Sequence, residues 1–324
     1  MKKKKYLLLI LFIVIGVILY SSSRKDYMQI DIGYQSVTSQ TWGALIIKNQ
    51  GTFEKKLKEK YPDKKVKVVW HDEISGAVIN TNMISNKFQL GFMGDMPMIL
   101  NLYKANTLKD YDSLIIAMDG KGINGKNQSI VIPKNSDVKS VEDLKGKSVS
   151  TPIGSSAHYM LMKVLKKHNM LDDVEIVHQD VGLASQLLKD NKTDGFSIWE
   201  PYPVFLEKSG SGKILISGED SEIDYLAGVV ATKKFVSENK EVTELFLESL
   251  DEAHNYIRDN PVKAAEIFAK ESGFDISIAK KEIKNITWDI KISNKDIETL
   301  KDKQNFLIDL NQVKKFDISK KIYR

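Results

Sequence analysis

No cysteine occurs anywhere in the 324 residues. Disulfides, thiolate metal sites and a cysteine nucleophile are thereby excluded. A bacterial lipoprotein anchor is also not expected, because Ser21, Ser22 and Ser23 stand where its cysteine would follow the apolar run. Histidine is sparse. His71, His158, His168, His178 and His254 include no H-x-x-x-H pair, so no metal and no cofactor is expected. A basic body is missing too. The net charge is +5, but residues 1–25 hold six positive charges and no acid, which leaves −1 for the remainder. No nucleic-acid partner is expected on that balance. There is no fixed-period repeat and no low-complexity segment, and 42% apolar with 28% charged residues is the composition of a folded globular chain.

What is present begins with a leader. Lys2 to Lys5 precede an uncharged run, Leu7–Leu19, broken only by Gly16, and the small residues Ser21–Ser23 follow. This reads as a signal peptide or an N-terminal membrane anchor over 1–26, with the body exported; the run is short for a span, which takes about 20 residues. Tyr6 and Tyr20 are placed to anchor it at the interfaces, and the lysines favour an inside N-terminus.

After the leader, strand-like and helix-like segments alternate. Strands are expected at 29–34, 66–70, 88–93 and 114–118. Helices are expected at 41–49, from Ser75-Gly76, and from Asp95 with Pro97 near its start. Asp119–Gln128 is rich in glycine and asparagine and reads as a crossing. A second set follows: a strand at 130–132, a capped helix near 140–144, and the stretch Ser148–Leu165. That stretch combines a short strand, a Pro152–Gly154 turn and a helix opening at Ser155-Ser156. Further strands are expected at 174–177, 195–199, 214–216 and 225–231, with a helix around 183–188. From Val236 the chain reads as helical, with Val242, Leu245, Phe246, Leu250, Ala253, Tyr256 and Ile257 on one stripe. The next helix opens at Asn260-Pro261 and stops near Gly273. The pattern predicts an α/β protein of two lobes.

In open α/β sheets, ligands sit where strand ends lead into helices. Three such loops share one chemistry: Ser75-Gly76, Gly94-Asp95-Met96 and Gly154-Ser155-Ser156. Helix starts carry unpaired N–H groups and positive potential, so a cleft ringed by them favours a small anion.

The same segments resemble the periplasmic-binding-protein family that serves taurine, aliphatic-sulfonate and nitrate ABC importers. The resemblance runs from about Ile30 to Phe268. It rests on Gly33-Tyr34-Gln35, Ser75-Gly76-Ala77, Gly94 to Pro97, the SSAHYML run Ser155 to Leu161, and DGFSIWEPY, Asp194 to Tyr202. It implies a type II binding-protein fold, two lobes (27–121 with 222–324, and 122–221) with crossings near Asp119–Gln128 and Gly218–Tyr225, closing over one solute. It implies no enzymatic chemistry, a small anionic solute, a permease with its ATPase as partners, a monomer, and a place outside the cytoplasmic membrane. The solutes it suggests are taurine or another aliphatic sulfonate, then nitrate or a pyrimidine precursor of thiamine. An enzyme making that precursor is a remote alternative, since such relatives use a lysine and cysteine-bearing motifs.

Candidate site residues follow. Gln35 is either a donor to an oxyanion or a polar loop residue. Ser75 and Gly76 offer helix-start N–H groups, or Ser75 merely caps. Asp95 either caps its helix or receives a ligand ammonium, and Met96 supplies an apolar wall beside Gly94. Ser155 and Ser156 are the expected anion donors. His158 either reaches the ligand or packs against the loop. Trp199 walls an alkyl chain or belongs to the core; a pyrimidine would be stacked between it and Trp42 or Tyr34. Glu200 and Asp224 are the other candidates for an ammonium.

Overall fold

The computed structural model describes residues 27–324; the segment read as a leader lies outside the described residues. The chain begins with β1 (Tyr27–Tyr34), α1 (Gly43–Gln50), α2 (Thr52–Lys60), β2 (Lys65–Asp72), α3 (Gly76–Ile84), β3 (Leu90–Gly94), α4 (Asp95–Thr107) and β4 (Ser113–Gly122). It continues through β5 (Gln128–Pro133), β6 (Ser148–Thr151), α5 (Ser156–Lys167), β7 (Glu175–His178), α6 (Val181–Lys189), β8 (Gly195–Trp199), α7 (Tyr202–Lys208) and β9 (Gly212–Ser217). The last part holds β10 (Tyr225–Thr232), α8 (Lys233–Glu238), α9 (Lys240–Asp259), α10 (Pro261–Ser272), α11 (Ile276–Asn285), β11 (Thr287–Trp288) and α12 (Asn294–Asp309).

Two sheets result, ordered β11-β4-β10-β3-β1-β2 and β7-β6-β8-β5-β9. Within them β1 runs parallel to β2 and β3, and β6 parallel to β7 and β8, so the helices α3, α4, α5, α6 and α7 all start at strand ends. Strand β10 returns antiparallel between β3 and β4. All eight of its residues are buried, which is why it reads as an unbroken apolar run rather than an alternation. The long helix α9 buries the predicted stripe, Val242, Phe246, Leu250, Ala253 and Ile257, in a core shared with Trp42, Phe53 and Phe268.

The chain passes between the sheets twice, by the Ile123–Gly125 turn after β4 and the Gly218–Ser221 turn after β9. These turns touch. A Cβ on Gly125 (φ +78°) would lie 1.8 Å from the Gly218 carbonyl oxygen, so the contact requires glycine on two counts. Each lobe also lends a tyrosine to the other's core. Tyr159 of α5 packs with α4 and α12, while Tyr225 of β10 packs with Phe196, Ile198 and Trp199.

One expected element differs. The capped helix near 140–144 is a single 3-10 turn, Glu142–Leu144. Asp143 Oδ2 turns back to accept the Lys139 and Ser140 N–H groups, at 2.8 and 3.0 Å, and Gly146 at φ +71° ends the segment before a second turn can form. Among the described residues, no helix is long and apolar enough to cross a membrane, and no cluster of three metal-ligating side chains occurs.

Candidate functional site

Between the sheets lies a cavity of about 490 Å³, lined from both sides. Three helix starts each present two or more consecutive residues to it. Ser75, Gly76 and Ala77 come from α3, Ser155 and Ser156 from α5, and Asp180, Val181, Gly182 and Leu183 from α6. The first N–H groups of an α-helix have no partner inside it, and neither the Ser75 nor the Asp180 side chain caps its helix. Gly76 is required by packing here: a Cβ would meet the Pro97 ring at 2.6 Å, so α3 and α4 approach closely and hold the first start in place.

The α6 start escaped the sequence reading. Its signal was there: a strand at 174–177 and a helix near 183 leave His178 to Gly182 as a strand-end loop of the same kind as the other three. His178 lines the cavity, and its Nδ1 accepts the Ile153 N–H at 3.1 Å, tying the α6 loop to the α5 loop.

Among the expected site residues, Gln35, Ser75, Gly76, Gly94, Ser155, Ser156 and Trp199 line the cavity. Gln35 Nε2 donates to the Phe92 carbonyl at 3.2 Å, which spends part of its donor capacity on the β3 backbone. Ser155 is the N-cap of α5: its Oγ accepts the His158 N–H at 3.2 Å, which leaves its own proton free. Trp199 lines the cavity, and its Nε1 donates to Thr38 Oγ1 at 3.1 Å across the lobes.

The other five lie elsewhere. Asp95 is fully buried and saturated. Oδ1 accepts the Met96 N–H at 2.8 Å and the Ser156 hydroxyl at 2.5 Å; Oδ2 accepts the Leu226 N–H at 2.8 Å and pairs with Lys303 of α12, itself fully buried. Neither oxygen is left for a ligand ammonium. Met96 points into the core with Met93, Met98 and Tyr159, because α4 buries that face against β10 and α12. His158 Nδ1 accepts the Gly154 N–H at 3.2 Å and its ring meets Phe306 edge-on; burial pushes its pKa down to about 4, so the neutral ring braces the loop. Glu200 Oε2 accepts the Val204 N–H at 3.2 Å, turned back onto its own helix. Asp224 sits at the second crossing, with Oδ1 accepting the Asn124 N–H at 2.7 Å and Oδ2 3.0 Å from Lys295.

The remaining lining is chiefly apolar: Val37, Ile74, Pro97, Leu100, Pro152, Ile153, Val181, Leu183 and Tyr202, with Asn80 and Tyr225 among the polar exceptions. Among the described residues, no lysine or arginine lines it, and Asp180 is its one carboxylate. Trp42 and Tyr34 are not part of it. Trp42 is fully buried against Phe268, with its Nε1 donating to the Ser36 carbonyl. Tyr34 is buried edge-on to Trp70. Three of the large apolar side chains that remain exposed gather at this cavity, Ile74 at 73%, Leu183 at 53% and Ile153 at 44% exposure.

Comparison with known proteins agrees with this architecture. The family model described as NMT1/THI5 like matches residues 116–264. A Bacillus subtilis (strain 168) protein named for binding aliphatic sulfonates is 26% identical over 266 residues, covering 82% of this chain and 76% of its own. The alkanesulfonate-binding protein of Xanthomonas axonopodis pv. citri, solved bound to MOPS, superposes with a TM-score of 0.77 at 20% identity, over 91% of this chain and 98% of its own. The periplasmic aliphatic sulphonate binding protein of Escherichia coli gives 0.74 at 22% identity, over 91% and 97%. The chain therefore has the periplasmic-binding-protein fold and resembles, in sequence and in structure, the proteins named for sulfonate binding, as its motifs led us to expect.

Proposed function

We propose that this protein is an extracytoplasmic solute-binding protein of an ABC importer, not an enzyme, and that it captures a small organic sulfonate between its lobes. One observation carries the reading: helix starts from two lobes converge on a single cavity that no lysine or arginine lines among the described residues. Neutral N–H and O–H donors hold an anion without an ion pair, and charge-assisted bonds to it are each about twice as strong as neutral ones. Release to a permease remains affordable on such terms.

The lining also speaks to which sulfonate. The apolar walls, and the exposed Ile74, Ile153 and Leu183 beside them, suit an alkyl or aryl body. A four-atom anion such as nitrate would leave most of the space unfilled. A pyrimidine loses the expected stack, because neither Trp42 nor Tyr34 reaches the cavity.

The reading is tested by thermal shift of the purified protein against MOPS, alkanesulfonates of increasing length, taurine, nitrate, carboxylates and thiamine pyrimidines. A ligand that binds only the folded state raises the melting temperature. Sulfonates with an apolar body are expected to give the largest rise. A rise from a pyrimidine with none from any anion would sink the proposal.

A further inference from the structure

Two neighbouring hydroxyls in the cavity have opposite polarity, and the reason lies far away in the chain. Ser155 Oγ is occupied as an acceptor by the His158 N–H, so its proton is free to donate. Ser156 is the reverse. The Asp95 carboxylate it touches is met by the Met96 and Leu226 N–H groups and by the Lys303 ammonium, all of them donors. The fourth contact, 2.5 Å to Ser156 Oγ, is therefore a hydrogen bond donated by the serine. Lys303 also donates to the Asp224 carbonyl at 2.8 Å, which fixes it between the carboxylate and the second crossing. A hydroxyl has one proton. With that proton spent on Asp95, Ser156 Oγ offers only lone pairs to anything else that reaches it.

We infer that Ser156 is a specificity-determining acceptor and Lys303 its positioning residue, so that the solute carries a hydrogen-bond donor, O–H or N–H, in addition to its anion. This rests on the sulfonate reading above and refines it. The anion is then served by the free N–H groups and the Ser155 hydroxyl, while the donor group of the solute is read by Ser156. Asp95 takes part without touching the solute: it commits the serine's proton, and Lys303 orients the carboxylate that receives it. Without that ammonium the carboxylate is free to turn, and the serine's proton is no longer committed to it.

The test uses two probes with the same number of heavy atoms, 2-hydroxyethanesulfonate and propane-1-sulfonate, which differ by a hydroxyl in place of a methyl group. Their affinities are measured by calorimetric titration of the full-length protein. The wild type is expected to prefer the hydroxyl compound, and Ser156→Ala to reduce that preference by about tenfold, the worth of one good hydrogen bond. Lys303→Met is expected to reduce it in the same direction although Ser156 is intact, which a merely structural lysine would not do. Equal affinities in the wild type, or an unchanged ratio in Ser156→Ala, would overturn the inference and leave the sulfonate reading standing. A folded Lys303→Met protein with the wild-type ratio would remove the lysine from it; should that variant not fold, the Ser156→Ala arm decides alone. Binding of neither probe would overturn the sulfonate reading and this inference together.

Discussion

The two lobes meet at two buried junctions that each bury carboxyl groups and solve the problem differently. At the first, Asp95 has a cation of its own, Lys303, and two backbone donors besides Ser156. At the second, Glu200 of the β8–α7 loop and Glu282 of α11 lie buried beside Ser39, with no cation paired to either among the described residues. The Ser39 N–H donates to the Glu200 carbonyl at 3.2 Å. Its hydroxyl stands 3.1 Å from that carbonyl and 3.4 Å from Glu282 Oε2. Asn127 Nδ2 donates to the same Oε2 at 3.2 Å, and Glu282 Oε1 is buried with no partner among the described residues. Burial raises Glu282 to about 7 and pushes Glu200 well above the carboxylate range, with the charge of Glu282 adding to it; Lys281 pulls the other way on both, and Glu207 raises Glu200 further. An acid–base pair makes a joint by charge; an acid pair makes one only while it holds protons.

The largest expected effect breaks the first junction. Lys303→Met leaves Asp95 buried without its counter-charge, a change that costs about 3–5 kcal/mol when one partner of a buried pair is removed. A chemical denaturation series should show a loss of that order. The double variant Asp95→Asn with Lys303→Met removes both charges and should recover most of it. If single and double variants are equally unstable, the pair contributes by packing rather than by charge.

The second junction is expected to respond to pH. A carboxyl whose folded-state pKa is raised binds its proton more tightly in the folded protein. Its contribution is fully present below the ordinary glutamate value of 4.5 and is lost as the pH rises through about 7, at roughly 1.4 kcal/mol per unit between them. His158 acts in the opposite sense. Lowered to about 4, it contributes above the ordinary histidine value of 6.5, and that contribution disappears as the pH falls. The two slopes overlap between pH 4.5 and 6.5 and oppose each other, so the wild-type melting curve alone is a poor diagnostic. Glu282→Gln isolates one of them. It should match the wild type near pH 5 and be the more stable protein near pH 8. A difference that does not change with pH would mean that Glu282 keeps its charge in the folded state.

The contrast between the junctions also explains what could be read from residues alone. The alternation of strands and helices, the crossings, and the helix starts at Ser75 and Ser155 are local patterns, carried by periodicity, glycine and capping residues. The α6 start is equally local, but His178 to Gly182 carries no hydroxyl to mark it. Asp95 reads as a cap or an ammonium receptor from its place at a helix start, and its Oδ1 does accept a neighbouring N–H; what decides its role is Lys303, 208 residues away and beyond the stretch that carries the family resemblance. Glu282 pairs with Ser39 across 243 residues. A buried acid looks the same in sequence whether its partner is a lysine or another acid. Long-range pairing is the part that spacing cannot express, and it is also what holds Asp224 at the crossing rather than in the cavity, whereas Glu200 is turned away by a local contact with the Val204 N–H.

The smallest effect concerns a third link, which has no charge at all. Trp199 Nε1 donates to Thr38 Oγ1 at 3.1 Å, joining β8 of one lobe to the loop after β1 of the other. Thr38 is buried, so Thr38→Val keeps the shape and removes the acceptor, leaving the indole N–H unpaired. The cost should be about 1 kcal/mol, the usual net worth of one neutral hydrogen bond. Because no titrating group takes part, the loss should be the same at pH 5 and pH 8, unlike that at Glu282. It should also be insensitive to added salt, which screens charge but not neutral hydrogen bonds. Melting curves at the two pH values and two ionic strengths check this. If the Thr38→Val difference varied with pH, the neutral link and the acid pair at Ser39, one residue on, would be a single coupled joint rather than two.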